Sequence, residues 1–233
     1  MERFNVSAEI WERFAGMRIV VAVVERLSNR RRRPEIEEAW REAWEGAAGL
    51  DLPNPQSHPR IGAWRDAFRA LGVSRKKYPS SVEAVLRRAL KGGEPFAVNP
   101  LVDFYNAVSL RHLVPAGGFD LDELAGPLEL RLSRQGDTFA ALDAEAPEPV
   151  APGEVSYAAG STVLTRHFVW RQARTALITP STRRAILVSE VLGGLDDAVA
   201  AAVEADFSGG VETAFGVRPR TFVATGERPS IEW

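Results

Sequence analysis

The 233-residue sequence contains no cysteine, which excludes disulfides, thiolate nucleophiles, cysteine-bearing zinc sites and iron–sulfur clusters. Histidine is almost as scarce: the three present are scattered, with no paired ligand spacing, so neither a metal nor a cofactor is expected. Phosphate-loop and dinucleotide fingerprints are missing as well. No hydrophobic run is long. The most apolar early stretch, Met17 to Val24, is too short for a bilayer, and the opening MERFNVSAEIWERF lacks the basic-then-apolar pattern of a secretory leader. A cytoplasmic location without a membrane partner is expected. The net charge of −2 argues against a bulk electrostatic binder of DNA or other nucleic acid, but local basic patches are compatible with it.

The composition that remains, 45% hydrophobic and 26% charged, is that of a globular chain, long enough to bury a core without a metal or disulfide staple. Strand-like and helix-like segments alternate. Phe4 to Val6 reads as a short edge strand, Ser7 as the cap of a following helix, and RIVVAVV as a central buried strand. Pro34 suits the first turn of a helix whose Ile36, Ala39, Trp40, Ala43 and Trp44 share one face, with Gly46 as its stop. LDLPNPQSHPRIG reads as a loop, Ala63 to Leu71 as a helix, Ser80 or Ser81 as the cap of another, and LVDFYNAVSLRHL as a further one. VPAGGFD reads as a glycine-rich turn. From Leu128 the pattern is β, in LELRLSRQG, DTFAALD, EVSYAAG and STVLTRHFVW. RRAILVSEVL fits strand or helix, LDDAVAAAVEADF a helix ended by Gly209 and Gly210, and RTFVATG a last strand. A single domain over 1–233 is expected, with a weak internal division near residue 80.

The stretch from Asn99 to Leu124 carries a recognisable order of residues: Asn99, Val102, Asp103, Asn106, Pro115, Phe119, Asp120, Leu121 and Asp122. Leu130–Arg131, Gly136–Asp137, Leu142–Asp143 (with Ala144 in place of a glycine) and Thr182-Arg-Arg-Ala-Ile-Leu continue it in register. The pattern resembles the editing domain of the phenylalanyl-tRNA synthetase β subunit. Together with RIVVAVVE, KKYPSSVEAVLRR and RHFVWRQ, it is similar to the free-standing B-three/B-four proteins. The resemblance implies an α+β fold, a layered β-rich core with peripheral helices. It also implies trans-editing: hydrolysis of a mischarged aminoacyl-tRNA by a positioned water, with the tRNA 3′ end as partner. A non-catalytic module that binds an amino acid, aminoacyl-adenosine or tRNA end is the alternative. Oligomeric state stays open, a homodimer included.

Ester hydrolysis of this kind needs a positioned water, donors for the developing oxyanion and a pocket for the side chain. Asp103 and Asn106, three apart on one helix face, are candidates to orient the substrate, or else to tie the helix to Asn99. Arg166 is a third catalytic candidate. With Trp170 it can form a clamp and wall for an aminoacyl-adenosine, or else a buried ion pair and core packing. Strand alternation would put Arg166, Phe168 and Trp170 on one face and Thr165, His167 and Val169 on the other. Substrate-binding candidates from the resemblance are Arg88 (or else a solvated helix flank), Asn99 and Thr182 (or else a β-branched residue at a strand entry), and Thr162 and Thr165 join them from the cluster around Arg166 and Trp170. Gly117 stands where the synthetase usually carries a histidine, and His112 is a candidate substitute or else a helix-end residue. The Arg30–Arg33 run, chiefly Arg31 and Arg32, and the pair Lys76 and Lys77 are candidate contacts to the tRNA backbone or else solvated surface.

Overall fold

A computed structural model describes residues 2–30, 32–195 and 197–233; the Arg31 candidate lies outside the described residues. In chain order the elements are β1 (Arg3–Val6), α1 (Ala8–Arg13), β2 (Arg18–Val24), α2 (Pro34–Ala48), α3 (Pro59–Ala70), α4 (Ser81–Leu90), α5 (Pro100–His112), β3 (Ala116–Asp120), β4 (Leu128–Leu132), β5 (Thr138–Phe139), β6 (Glu148–Pro149), β7 (Val155–Ala159), β8 (Thr162–Val163), β9 (Thr165–Arg166), β10 (Arg171–Gln172), β11 (Ala185–Val191), α6 (Asp197–Phe215), β12 (Arg220–Ala224) and β13 (Ser230–Glu232).

The β-branched runs build the centre. β2 and β11 pair antiparallel from Ala185↔Val24 to Val191↔Arg18, flanked by β12 and β3 in the order β12-β2-β11-β3. Alternation sends Ile19, Val21, Val23, Ile186 and Val188 to one face, and Val20, Ala22, Val24, Leu187 and Val191 to the other. Helices α5 and α6 cover the second face through Val102, Phe104, Val108, Val203, Phe207 and Val211. The first face packs on a larger sheet, β13-β1-β4-β7-β8-β5-β6, through Phe4, Leu128, Leu130, Val155 and Tyr157. The fold is therefore α+β, with a helical layer, a four-stranded sheet and a seven-stranded sheet. Buried side chains such as these each contribute roughly 1.5–3 kcal/mol. Contacts cross position 80: Trp64 packs on Phe168 at 5.3 Å between ring centroids, and Ser81 N donates to Val169 O at 2.8 Å.

Several local expectations are corrected. VPAGGFD is not a turn, because Gly117 and Gly118 pair with Val188 and Leu187 as part of β3. Helix α6 does not stop at Gly209–Gly210. A Cβ on Gly210 would lie 2.4 Å from Phe104 Cε2, so this glycine serves the close approach of α6 to α5. Gly46 does not end α2, which reaches Ala48. β1 is no edge strand, since the C-terminal β13 covers its open side. The segment read as one strand, STVLTRHFVW, breaks after Arg166: His167 and Phe168 take positive φ (46° and 64°) and the chain returns as β10. The proposed alternation of side chains over 165–170 therefore fails.

Candidate functional site

The motif residues of the sequence reading fall into three places. Asn99 caps α5, accepting from Val102 N at 3.2 Å and from Asn29 Nδ2 at 2.8 Å, and it donates to Ile178 O at 3.0 Å. Asn29 in turn accepts from Leu101 N and donates to Thr179 O. Thr182 donates to Asp120 Oδ2 at 2.6 Å and accepts from Thr179 N at 2.9 Å. These buried groups bond one another and join the 178–182 turn to the start of α5 and the end of β3.

Asp103 belongs to a cleft of about 490 Å³ on the helical side, lined by Arg30, Arg32, Trp40, Phe96, Val98 and Asn99 among others. Its Oδ1 accepts from Val98 N at 2.9 Å, and burial pushes its carboxyl above the usual range. Arg88 stacks over Phe96 at 4.7 Å, and Arg32 pairs with Glu37. Asn106 is half-buried on α5 and lines neither this cleft nor the pocket described next.

Gly117, Thr165 and Trp170 do converge, on the opposite face of the four-stranded sheet, in a pocket of about 90 Å³. Tyr157, Phe119, Phe168 and Val188 form its floor, all at most 3% exposed. Gln172, Arg171, Ser81 and Ala116 are half-buried around its mouth. Position 117 is open: nothing lies within 4 Å of where its Cβ would sit. Gly118 is different, because a Cβ there would come within 2.8 Å of Leu187 Cδ2 and 3.1 Å of Ile186 O.

β3 is the edge of its sheet, and Gln172 Nε2 donates to Gly118 O at 2.9 Å across that edge. In an antiparallel strand the N–H and C=O of one residue point the same way, so the Gly118 N–H also faces the edge beside the pocket.

The base of the pocket carries two groups that the sequence reading did not single out. Tyr157 donates its hydroxyl to Glu190 Oε1 at 2.5 Å. Burial raises Glu190 to about 7, although the Tyr157 bond opposes this, and burial with the neighbouring acid raises Tyr157 well above its ordinary value. The signal for Glu190 was an acid inside the apolar run AILVSEV, and it became readable only once that run was known to be a strand.

Trp170, which lines the pocket, meets Tyr78 edge-on at 4.5 Å, and Tyr78, outside the lining, lies 4.0 Å from the ring of His167. Lys77 Nζ sits 5.0 Å over Tyr78, and the Arg171 guanidinium 5.9 Å over Trp170. Burial lowers the His167 pKa, which favours the neutral ring. Lys76 is exposed on the same turn as Lys77.

Two candidates are committed elsewhere. Arg166 forms a fork with Glu154 at 2.7 and 2.9 Å and reaches Glu148 at 2.9 Å, outside the pocket lining. His112 bonds Asp206 at 2.8 Å, next to the Arg111–Asp206 pair. Thr162 pairs with Ala159 and Thr138 in the large sheet, away from both clefts. Among the described residues no group of His, Asp and Glu could hold a metal ion, and no helix is long and apolar enough to cross a membrane.

Fold and site thus define an α+β protein with a small pocket at a sheet edge, framed by aromatic and cationic side chains. The chain belongs to the B3/4 domain family, whose model matches residues 63–200, more than half of its length. No curated protein matches it. A solved N-terminal fragment of the phenylalanyl-tRNA synthetase β-subunit from Pyrococcus horikoshii is similar at 11% identity, with a TM-score of 0.46. That similarity covers 93% of this chain and 50% of the fragment, so the chain spans half of the fragment's length.

Proposed function

We propose that the protein removes the amino acid from mischarged tRNA, with the pocket beside Gly117 holding the side chain and a water attacking the ester. The observation that carries this reading is the pocket's mouth. Trp170 and Arg171 line it, and Tyr78, His167 and Lys77 pack beside them, a half-buried cluster of rings and cations of the kind that meets an unpaired base and its phosphate. The terminal adenosine of a tRNA has this chemistry, and membership of the B3/4 domain family agrees with it.

In the proposed reaction the water oxygen bonds to the ester carbon, the ribose oxygen leaves, and the water's proton ends on that ribose oxygen. The Gly118 N–H at the open edge is the donor proposed to stabilise the oxyanion. Gln172 holds the Gly118 carbonyl and so fixes the peptide plane next to it. Asp103, Asn99 and Thr182 act as locks on the loops behind the sheet, and Arg166 fixes the 154–167 corner. Turnover in this reading belongs to the pocket and not to the Asp103 cleft.

The test is deacylation of a panel of radiolabelled mischarged tRNAs, with Trp170→Ala and Gly117→Val as site variants. Multiple turnover on one class of charged tRNA, lost in both variants, is the expected result. No hydrolysis by folded protein across the panel would overturn it. A binding module without turnover is the second reading. It is favoured by one observation: Glu190, the titratable acid of the pocket, is already bonded to Tyr157.

A further inference from the structure

The pocket's size is set by the core around it. A cavity of about 150 Å³ is what takes up a benzene ring, whereas this pocket offers about 90 Å³. By that comparison the pocket, which opens to solvent on one side, is smaller than an enclosed site for a phenyl ring.

The floor is poorly placed to yield. The Tyr157 ring lies against Phe4, Phe119 and Phe168, with centroids 6.0, 5.4 and 6.4 Å away, and its hydroxyl is fixed to Glu190. Turning that ring aside would break the bond to Glu190 and unpack three aromatic neighbours, which a close-packed interior resists. Val188 on β11 closes the floor, with both its strand neighbours paired.

Part of the space exists only because residue 117 has no side chain. Its φ is not among the positive values, so the backbone does not demand glycine at this position. Nor does packing demand it, since a Cβ would meet nothing within 4 Å. Glycine at 117 therefore acts on pocket volume, in contrast to Gly118, where packing against Leu187 requires it.

We infer that the pocket selects aminoacyl esters with small side chains, such as those of glycine, alanine, serine and threonine, and rejects phenyl-bearing ones. The inference rests on the deacylase reading for what presents the side chain. The ester stays at the mouth near Gly118 and Trp170, while the side chain points toward Val188 and the Tyr157–Glu190 pair. A phenyl ring would have to displace floor residues, and overpacking of this kind corresponds to discrimination on the order of 100-fold.

The experiment uses the full chain with tRNA charged with glycine, alanine, serine, threonine, phenylalanine or tyrosine. The same six side chains are offered as non-hydrolysable 3′-aminoacylamido-adenosines in calorimetric titrations. Alanine- or serine-type substrates are expected to exceed phenylalanine and tyrosine by about 100-fold in kcat/KM and in binding. Gly117→Val is expected to lose at least about 50-fold toward alanine with unchanged thermal unfolding, and Val188→Ala to shift preference toward threonine.

Phenylalanine or tyrosine processed within about fivefold of alanine would overturn the size rule and leave the deacylase reading intact. Analogues discriminated by size without hydrolysis of any charged tRNA would uphold the size rule and remove the deacylase reading. Absence of both binding and hydrolysis, or a fully active Gly117→Val variant, would overturn the inference.

Discussion

Tyr157 and Glu190 share a 2.5 Å hydrogen bond inside the core, donated by the phenol and accepted by the carboxyl, with each residue 1% exposed. The pair lines the pocket floor and links the seven-stranded sheet to the four-stranded one. Its protonation sets part of the molecule's pH response. Burial raises Glu190 from 4.5 to about 7, so the folded state holds a proton that the unfolded chain releases. That contribution is fully present below about 4.5 and is lost as pH rises through about 7. Glu190→Gln, which keeps an acceptor for Tyr157, should therefore gain stability over the parent as pH rises from 5 to 8. The gain should approach ~3 kcal/mol, at 1.36 kcal/mol per pKa unit. Urea unfolding at the two pH values measures it, and equal differences at both would contradict the linkage.

Arg131 and Asp137 form a second buried pair, bidentate at 2.6 and 3.1 Å, with Arg131 also donating to Gly160 O and Leu132 O. Burial alone would raise the Asp137 pKa, but the Arg131 bonds and the Arg134 N–H outweigh it and the pKa is lowered. Its stabilisation is present above the ordinary aspartate range and is lost as pH falls through the depressed value. Asp137→Ala leaves the buried guanidinium with Glu129, 3.2 Å from its Nε, as its one remaining carboxylate and should cost about 3 kcal/mol in chemical denaturation. A loss under 1 kcal/mol would show that the arginine finds other partners.

At the pocket mouth, Trp170→Ala removes one aromatic face and should weaken tRNA-end binding by about 1–3 kcal/mol. Lys77→Ala, by contrast, should reduce the salt dependence of binding by about one unit of slope without altering which amino acid is preferred. Fluorescence titrations at several salt concentrations separate the two effects. A slope left unchanged by the lysine variant would exclude a phosphate contact.

Asp103→Asn tests whether turnover belongs to the helical-side cleft or to the sheet-edge pocket. The Asp103 Oδ1 accepts from Val98 N at the entry to α5, an acceptor that asparagine keeps, so stability should stay within about 1 kcal/mol of the parent. Deacylation kinetics should stay within about threefold of the parent. A loss of orders of magnitude in kcat with normal folding would move catalysis to the Asp103 cleft.

Much of the architecture was legible in the chain. RIVVAVV reads as a central buried strand and is β2, and Ile36, Trp40, Ala43 and Trp44 read as one helical face and are buried on α2. Among the residues that carry the resemblance to the synthetase editing domain are Asn99, Asp120, Arg131, Asp137 and Thr182, and the structure gives these five a common physical reason. Each is a buried polar group bonded to particular partners, so its type and spacing are tightly fixed. They identify the fold because they hold it together.

Pocket chemistry was less visible, for a related reason. Nothing in AILVSEV announces that Glu190 will meet Tyr157, 33 residues away. That meeting follows from the register of β7 on β4 and of β11 between β2 and β3. Likewise Arg166 and Trp170 looked like one strand face until two positive-φ residues turned the chain between them.

The sequence by itself excluded the cysteine chemistries and, through the order of its motif residues, resembled the family and so implied the layered α+β fold, because absence and local spacing are properties of the chain. Tertiary structure alone decided that Gly117 faces open space while Gly118 is pressed against Leu187, and that Asp103 and Trp170 lie on opposite faces of one sheet. Those distinctions depend on which side of a strand a residue takes and what packs there, and the pairing of distant segments sets both.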